Sequence, residues 1–135
     1  MNAIASSAEL TYLAWGVALV LLQIVLQATL CSLDVGLPYA VGPQDEGRTE
    51  KGVIAARSRR ALRNLLETFP LYVALALALA VSGKTGGIAA TGALIWFWAR
   101  VAYLVVYLAG VPVARTVVWA ASIAGLVMML AKLLG

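Results

Sequence analysis

Four long apolar runs, separated by short polar segments, limit the folds that are open to this chain. The first extends from Leu10 to Leu33 without a charged residue, and a helix needs about 20 residues to cross the roughly 30 Å core of a bilayer. Because lipid offers the backbone no hydrogen-bond partners, each run is predicted to be a transmembrane helix. The predicted spans are about 10–33, 61–83, 88–109 and 113–134. The sequence therefore predicts an all-α integral membrane four-helix bundle in a single domain, 1–135.

The composition agrees with a membrane protein and excludes several functional classes. Hydrophobic residues make up 63% of the chain and charged residues only 12%, whereas soluble domains are about 45–50% apolar. The chain has no histidine and one cysteine, Cys31, which excludes a metal site built from His and Cys clusters, a His-based triad and an internal disulfide. Neither a metal ligand set nor a nucleic-acid partner is expected.

The distribution of the cations predicts the orientation of the spans. Most of the ten Lys and Arg residues lie between Arg48 and Arg63, in the first loop and at the start of the second span. Cytosolic loops carry such an excess of positive charge, and no basic face interleaved with aromatic residues is left for a nucleic acid. We therefore expect loops one and three in the cytosol and both termini outside.

Charged and polar residues inside the spans fall on helical stripes. One stripe, on the second span, holds Arg60, Arg63, Asn64 and Glu67; another, on the third span, holds Arg100, Tyr103 and Tyr107; Arg115 opens the fourth span. A charge at the centre of a bilayer costs at least about 2.5–3.5 kcal/mol, so such residues are expected to face the protein interior and pair there. Glu67, the only acid within the predicted spans, should pair with Arg100 or Arg63. The remaining arginines would then need an anionic ligand.

Two motifs resemble the MAPEG family, the membrane-associated proteins of eicosanoid and glutathione metabolism. The stretch RALRNLLETFPLY begins at Arg60, and ARVAYLVVYLAGVPVART contains Arg100 and Arg115. The resemblance covers nearly the whole chain. It implies a bacterial-type member in the inner membrane, assembled as a homotrimer with glutathione bound between subunits as a substrate. It also implies glutathione-binding roles for Arg60, Arg63, Asn64, Glu67, Arg100 and Tyr103 and catalytic roles for Arg115 and Tyr107.

The expected function is that of a membrane-embedded glutathione-dependent transferase or peroxidase acting on an apolar, lipid-like electrophile or a lipid hydroperoxide. One alternative is a non-catalytic relative that binds a lipid or a partner protein. A small multidrug transporter is a second alternative, but such transporters carry an acid in the first span, and the run from Leu10 to Leu33 has none.

Overall fold

The structure, a computed structural model, describes residues 7–45, 47 and 51–135. Within these residues the chain forms helices and no strand. The helices are α1 (Ala8–Val35), α2 (Leu37–Val41), α3 (Val53–Ser82), α4 (Ile88–Ala109) and α5 (Pro112–Leu134). Four of them, α1, α3, α4 and α5, are long and apolar enough to cross a membrane. The prediction of an all-α fold with four spanning helices is confirmed.

The helix bounds differ from the predicted spans mainly at the start of α3. Helix α4 matches the predicted 88–109, and α1 and α5 extend slightly beyond their predicted ranges. Helix α3 instead begins at Val53 rather than near residue 61. The length rule for a bilayer locates only the apolar part of a helix. The segment 53–60, before the predicted span, is rich in Ala and Arg, which favour a helix in water as well, so the helix begins earlier than the rule predicts. Arg48, one of the cations used to predict orientation, lies outside the described residues.

Side chains and glycines fix the helix ends. The Ser7 hydroxyl caps α1 by accepting the backbone N–H of Leu10 at 3.4 Å. Helices α3 and α4 end at Gly83 and Gly110, whose φ values of 72° and 79° are left-handed and favour glycine. The carboxylate of Asp34, in the last turn of α1, accepts the backbone N–H of Gly52 at 3.0 Å. Asp34 thereby joins the end of α1 to the start of α3.

Helices α3 and α4 each contact all three of the other long helices, whereas α1 and α5 do not contact each other. The most extensive pairing is between α4 and α5, where Gly92 and Gly125 meet. A Cβ added to either glycine would lie 2.5 Å from the carbonyl oxygen of the other. Small residues at such crossings allow membrane helices to pack backbone against backbone.

Aromatic rings fill the centre of the bundle. The rings of Tyr72 and Trp96 are stacked with centroids 4.2 Å apart, and both side chains are fully buried. Gly16 lets α1 pack closely against two of the rings, because a Cβ there would lie 2.9 Å from Phe69 and 3.4 Å from Trp96. Aromatic contacts of this kind supply much of the packing energy of a core.

Glu9 ties together the end of the bundle at which α1 starts and α3 finishes. Its side chain is fully buried, and its carboxylate accepts the Ser7 hydroxyl at 2.9 Å and the Gly86 backbone N–H at 2.8 Å. The hydroxyl of Tyr72 donates to the backbone carbonyl of Glu9 at 2.8 Å. Helix α1 therefore contains two acids that lie just outside the predicted span 10–33, Glu9 in its first turn and Asp34 in its last.

Candidate functional site

The site lies at the other end of the bundle, where α1 and α4 finish and α3 and α5 begin; we call this the cation-rich end. Arg100 of α4 is 1% exposed. Its Nη1 donates to Oδ1 of Asn64 on α3 at 2.9 Å, and its Cζ lies 4.4 Å from the ring centroid of Tyr103. A neutral amide and an aromatic face therefore hold this buried guanidinium, through a hydrogen bond and a cation–π contact.

Tyr107, one turn beyond Tyr103 on α4, joins the arginines of α3 and α5. Its hydroxyl accepts a hydrogen bond from Nε of Arg60 at 3.1 Å, and Cζ of Arg115 lies 5.1 Å from its ring centroid. The rings of Tyr103 and Tyr107 have centroids 5.4 Å apart. Two tyrosines and three arginines from three helices therefore form one continuous cluster.

A cavity of about 240 Å³ opens beside Tyr107. Three arginines line it, Arg57, Arg60 and Arg115, together with the turn that joins α4 to α5. Among the residues that the structure describes, no acidic side chain is part of its lining. Like charges that converge without a counter-charge favour an anionic ligand between them.

Arg57 was not among the predicted site residues and counted only among the cations that predict the orientation of the spans. Its Nη1 donates to the carbonyl oxygen of Leu108 at 3.2 Å, near the end of α4, and a Cβ at Gly110 would come within 2.6 Å of its guanidinium. The signal was present in the spacing, because Arg57 lies three residues before Arg60 and seven before Asn64, which is one face of a helix.

A second, smaller cavity of about 110 Å³ lies deeper along α5. Its lining consists of Asn64, Tyr103, Arg115, Thr116 and Trp119. Arg115 borders both cavities. It therefore lies between the arginine-lined cavity beside Tyr107 and the smaller cavity, whose wall includes Trp119. Trp119 and Thr116 were not among the predicted site residues.

Glu67 and Arg63 do not take part in this cluster. Both side chains are exposed, and within the described residues neither forms an ion pair with the other or with Arg100. The predicted pairing of Glu67 with Arg100 or Arg63 is therefore wrong for the single chain. On α3 the buried positions Ala61, Leu65 and Tyr72 define the inner face, and Glu67 and Arg63 lie on the opposite side of the helix.

The exposed charges instead border a cavity on the outer surface of α1 and α3. This cavity of about 400 Å³ is lined by Gln27, Arg59, Leu62, Arg63, Leu66 and Glu67. Charged side chains that face lipid within a span are costly. This surface is consequently suited to contact with protein rather than with hydrocarbon.

Comparison with known families identifies the group to which these features belong. The model of the MAPEG family matches residues 12–135, a range that contains all four long helices almost completely. The chain belongs to the MAPEG family. This membership, together with the four apolar helices, makes it an integral membrane protein of a family of glutathione-related transferase and peroxidase type. A comparison with curated proteins gives no match.

Proposed function

We propose that this MAPEG member is a glutathione-dependent transferase or peroxidase that acts on apolar electrophiles or lipid hydroperoxides. The observation that carries the proposal is the cavity beside Tyr107, where Arg57, Arg60 and Arg115 converge and no acidic residue of the described chain lines the walls. Glutathione is a small peptide with two carboxylates, one ammonium and one thiol. Guanidinium groups bind carboxylates through paired, charge-assisted hydrogen bonds.

The site is completed by a second copy of the chain in this proposal. The cavity of about 240 Å³ is smaller than the roughly 300–1,000 Å³ of typical ligand sites. Arg63 and Glu67, which could bind a carboxylate and the ammonium, lie on a different surface of the same chain. Packing the α1–α3 surface of one copy against the α3–α5 surface of the next would enclose both sets of groups and remove the exposed charges from lipid. A homotrimer is the assembly we expect.

Arg115 is proposed to act on the sulfur. A guanidinium beside a thiol favours the thiolate, which is the nucleophile. With an aromatic halide, the sulfur forms a bond to the ring carbon, the halide leaves with its bonding electrons, and the thiol proton passes to water. With a hydroperoxide, the thiolate attacks the outer oxygen, the O–O bond breaks, and the alkoxide takes up a proton and leaves as the alcohol. The resulting sulfenic acid is attacked by the thiol of a second glutathione, which forms the disulfide and releases the oxygen as water. The smaller cavity, beside Trp119, would receive the apolar reactant. Tyr107 would position Arg115 through the cation–π contact with its ring.

The test separates binding from chemistry in the purified, reconstituted protein. Calorimetric titration with glutathione measures binding, and conjugation of an aromatic halide measures turnover. Arg115→Ala should lower the rate more than it weakens binding, whereas Arg63→Ala should mainly weaken binding, by about tenfold or more, because a hydrogen bond to a charged group contributes about 1.5–3 kcal/mol. Lys132→Ala, which removes a cation at the opposite end of the bundle, is the matched control and should change neither quantity.

Equal effects of Arg115→Ala and Arg63→Ala on binding and rate would contradict the assigned roles. A wild-type rate no higher than that of Arg115→Ala would favour the non-catalytic, lipid- or partner-binding alternative instead.

A further inference from the structure

A second large cavity lies away from the arginines, in a groove between α1 and α4. Its volume is about 700 Å³, larger than either chamber at the cation-rich end. The groove occupies the half of the bundle that contains Glu9 and the start of α1. Its walls include Trp15 and Trp98, which are 59% and 55% exposed.

The lining of the groove changes from polar to apolar along the bundle axis. Hydroxyl-bearing residues, Ser7, Thr11 and Tyr12, lie at the end where α1 begins, and Phe97 and Val101 lie nearer the middle of α4. Within residues 7–45, 47 and 51–135, no charged side chain is part of the lining. This gradient matches an amphipathic, lipid-like molecule that lies parallel to the helices with its polar end at the membrane surface.

Tyr12 offers a hydrogen bond to such a molecule. Its hydroxyl accepts a hydrogen bond from Nε1 of Trp98 at 3.3 Å, but within the described part of the chain its own proton has no acceptor. The ring of Tyr12 is held against Phe97, with centroids 5.2 Å apart. The hydroxyl is therefore a fixed donor at the polar end of the groove, suited to an ester carbonyl.

The groove lies on a different side of α4 from the arginine cluster. Phe97, Trp98 and Val101 fall on one side of the helix, and Arg100, Tyr103 and Tyr107 fall roughly on the other at 3.6 residues per turn. The surface with exposed charges, which contains Arg63 and Glu67, is the surface suited to a second copy. The uncharged groove is consequently left facing the bilayer.

We propose that this groove binds one phospholipid of the leaflet opposite the cation-rich end. An ester carbonyl of the lipid accepts a hydrogen bond from Tyr12, and one acyl chain lies along Trp15, Trp98 and Val101 toward the middle of the membrane. This lipid is separate from the apolar reactant proposed above, because the groove and the reactive cluster do not share a side of α4.

Native mass spectrometry of the intact, detergent-solubilised protein tests the proposal, with dioleoylphosphatidylethanolamine as the added probe. The wild-type chain should retain one lipid per chain after delipidation and should bind the probe in a saturable way. Tyr12→Phe should weaken binding by about two- to tenfold, the contribution of one hydrogen bond. Val101→Trp, which fills the groove, should abolish retention. Val127→Trp, at an exposed position on α5, is the matched control and should retain the lipid.

The proposal is overturned by no retained lipid in the wild-type chain, by equal retention in Val101→Trp, by equal loss in Val127→Trp, or by unchanged affinity of Tyr12→Phe for the probe. Cross-linking tests the competing occupant, a second copy. If Trp15→Cys chains that also carry Cys31→Ser join to one another through a short bismaleimide, the groove is an interface between copies. The glutathione conjugation rate is the separate readout, since Val101→Trp and Tyr12→Phe should leave it unchanged whether or not lipid binds. Tyr12→Phe decides the question alone should Val101→Trp fail to fold.

Discussion

The hydrogen bond between Asn64 and Arg100 should be the principal polar support of the buried part of the site. Within the described residues, Oδ1 of Asn64 is the one hydrogen-bond acceptor of an arginine that is 1% exposed. Asn64→Leu removes this acceptor and leaves a buried charge held only by the ring of Tyr103. A hydrogen bond to a charged group contributes about 1.5–3 kcal/mol, which corresponds to a roughly 10- to 150-fold change in the unfolding equilibrium.

A double-mutant cycle isolates this interaction. Asn64→Leu, Arg100→Met and the double variant are unfolded reversibly by titration with sodium dodecyl sulfate in mixed micelles, and the free energies of unfolding are compared. The double variant should lose at least about 1.5 kcal/mol less than the sum of the single variants, because removing both partners leaves no unpaired polar group. Asn64→Asp is the control, since it keeps the acceptor and adds a negative charge beside Arg100, and it should be at least as stable as the wild type.

Unfolding of Asn64→Leu at the wild-type concentration of detergent would contradict this role of Asn64. Single effects that add to within about 0.5 kcal/mol, the limit expected for independent sites, would contradict it as well. In either case the buried guanidinium would be stabilised by something other than the amide.

Three further changes test the fold by the same titration. Gly125→Ala places a Cβ 2.5 Å from the carbonyl oxygen of Gly92 and should lower the free energy of unfolding by about 1–3 kcal/mol. Ala124→Leu, on the exposed side of the same helix, is the control and should have little effect. Equal losses of stability in the two variants would contradict the close crossing of α4 and α5. Glu9→Ala leaves the Ser7 hydroxyl and the Gly86 N–H without an acceptor and should lower the free energy of unfolding by about 1–3 kcal/mol. Glu9→Gln keeps a carbonyl oxygen as an acceptor and should lower it less. A larger loss for Glu9→Gln than for Glu9→Ala would contradict the role of the carboxylate in holding the loop. Asp34→Ala removes the acceptor of the Gly52 backbone N–H just before α3 and should cost about 0.5–1.5 kcal/mol, with Asp34→Asn closer to the wild type. No loss would mean that this link between α1 and α3 does not stabilise the bundle.

The helices could be predicted from the sequence because lipid imposes a simple rule on length and polarity. The run from Leu10 to Leu33 has no competing interpretation, and the glycines at 83 and 110 mark real helix ends. The start of α3 at Val53 could not be found in this way. Its first turns carry several charged residues, so they are not part of an apolar run of spanning length.

The site was predicted less completely, for a geometric reason. A stripe on one helix gives the relative directions of its side chains but not the rotation of that helix against its neighbours. That rotation turns Asn64 toward Arg100 and leaves Glu67 and Arg63 on the outer surface. From charge alone, Glu67 was predicted to pair with an arginine. The packing of α3 against α4 instead places the side-chain amide of Asn64 next to Arg100.

The unequal lengths of the helices shape the surface that meets water. A helix rises about 1.5 Å per residue, so the 30 residues of α3 and the 28 of α1 extend about 45 Å and 42 Å. Helices α4 and α5 extend only about 34 Å, close to the roughly 30 Å thickness of the hydrocarbon layer. The first turns of α3 bring Arg57 and Arg60 level with the last turn of α4, where they form a positively charged rim at the end of the bundle. Attraction between that rim and a negatively charged solute acts over only about 8 Å at physiological ionic strength, so added salt should slow the arrival of an anionic ligand more than it changes the stability of the bundle.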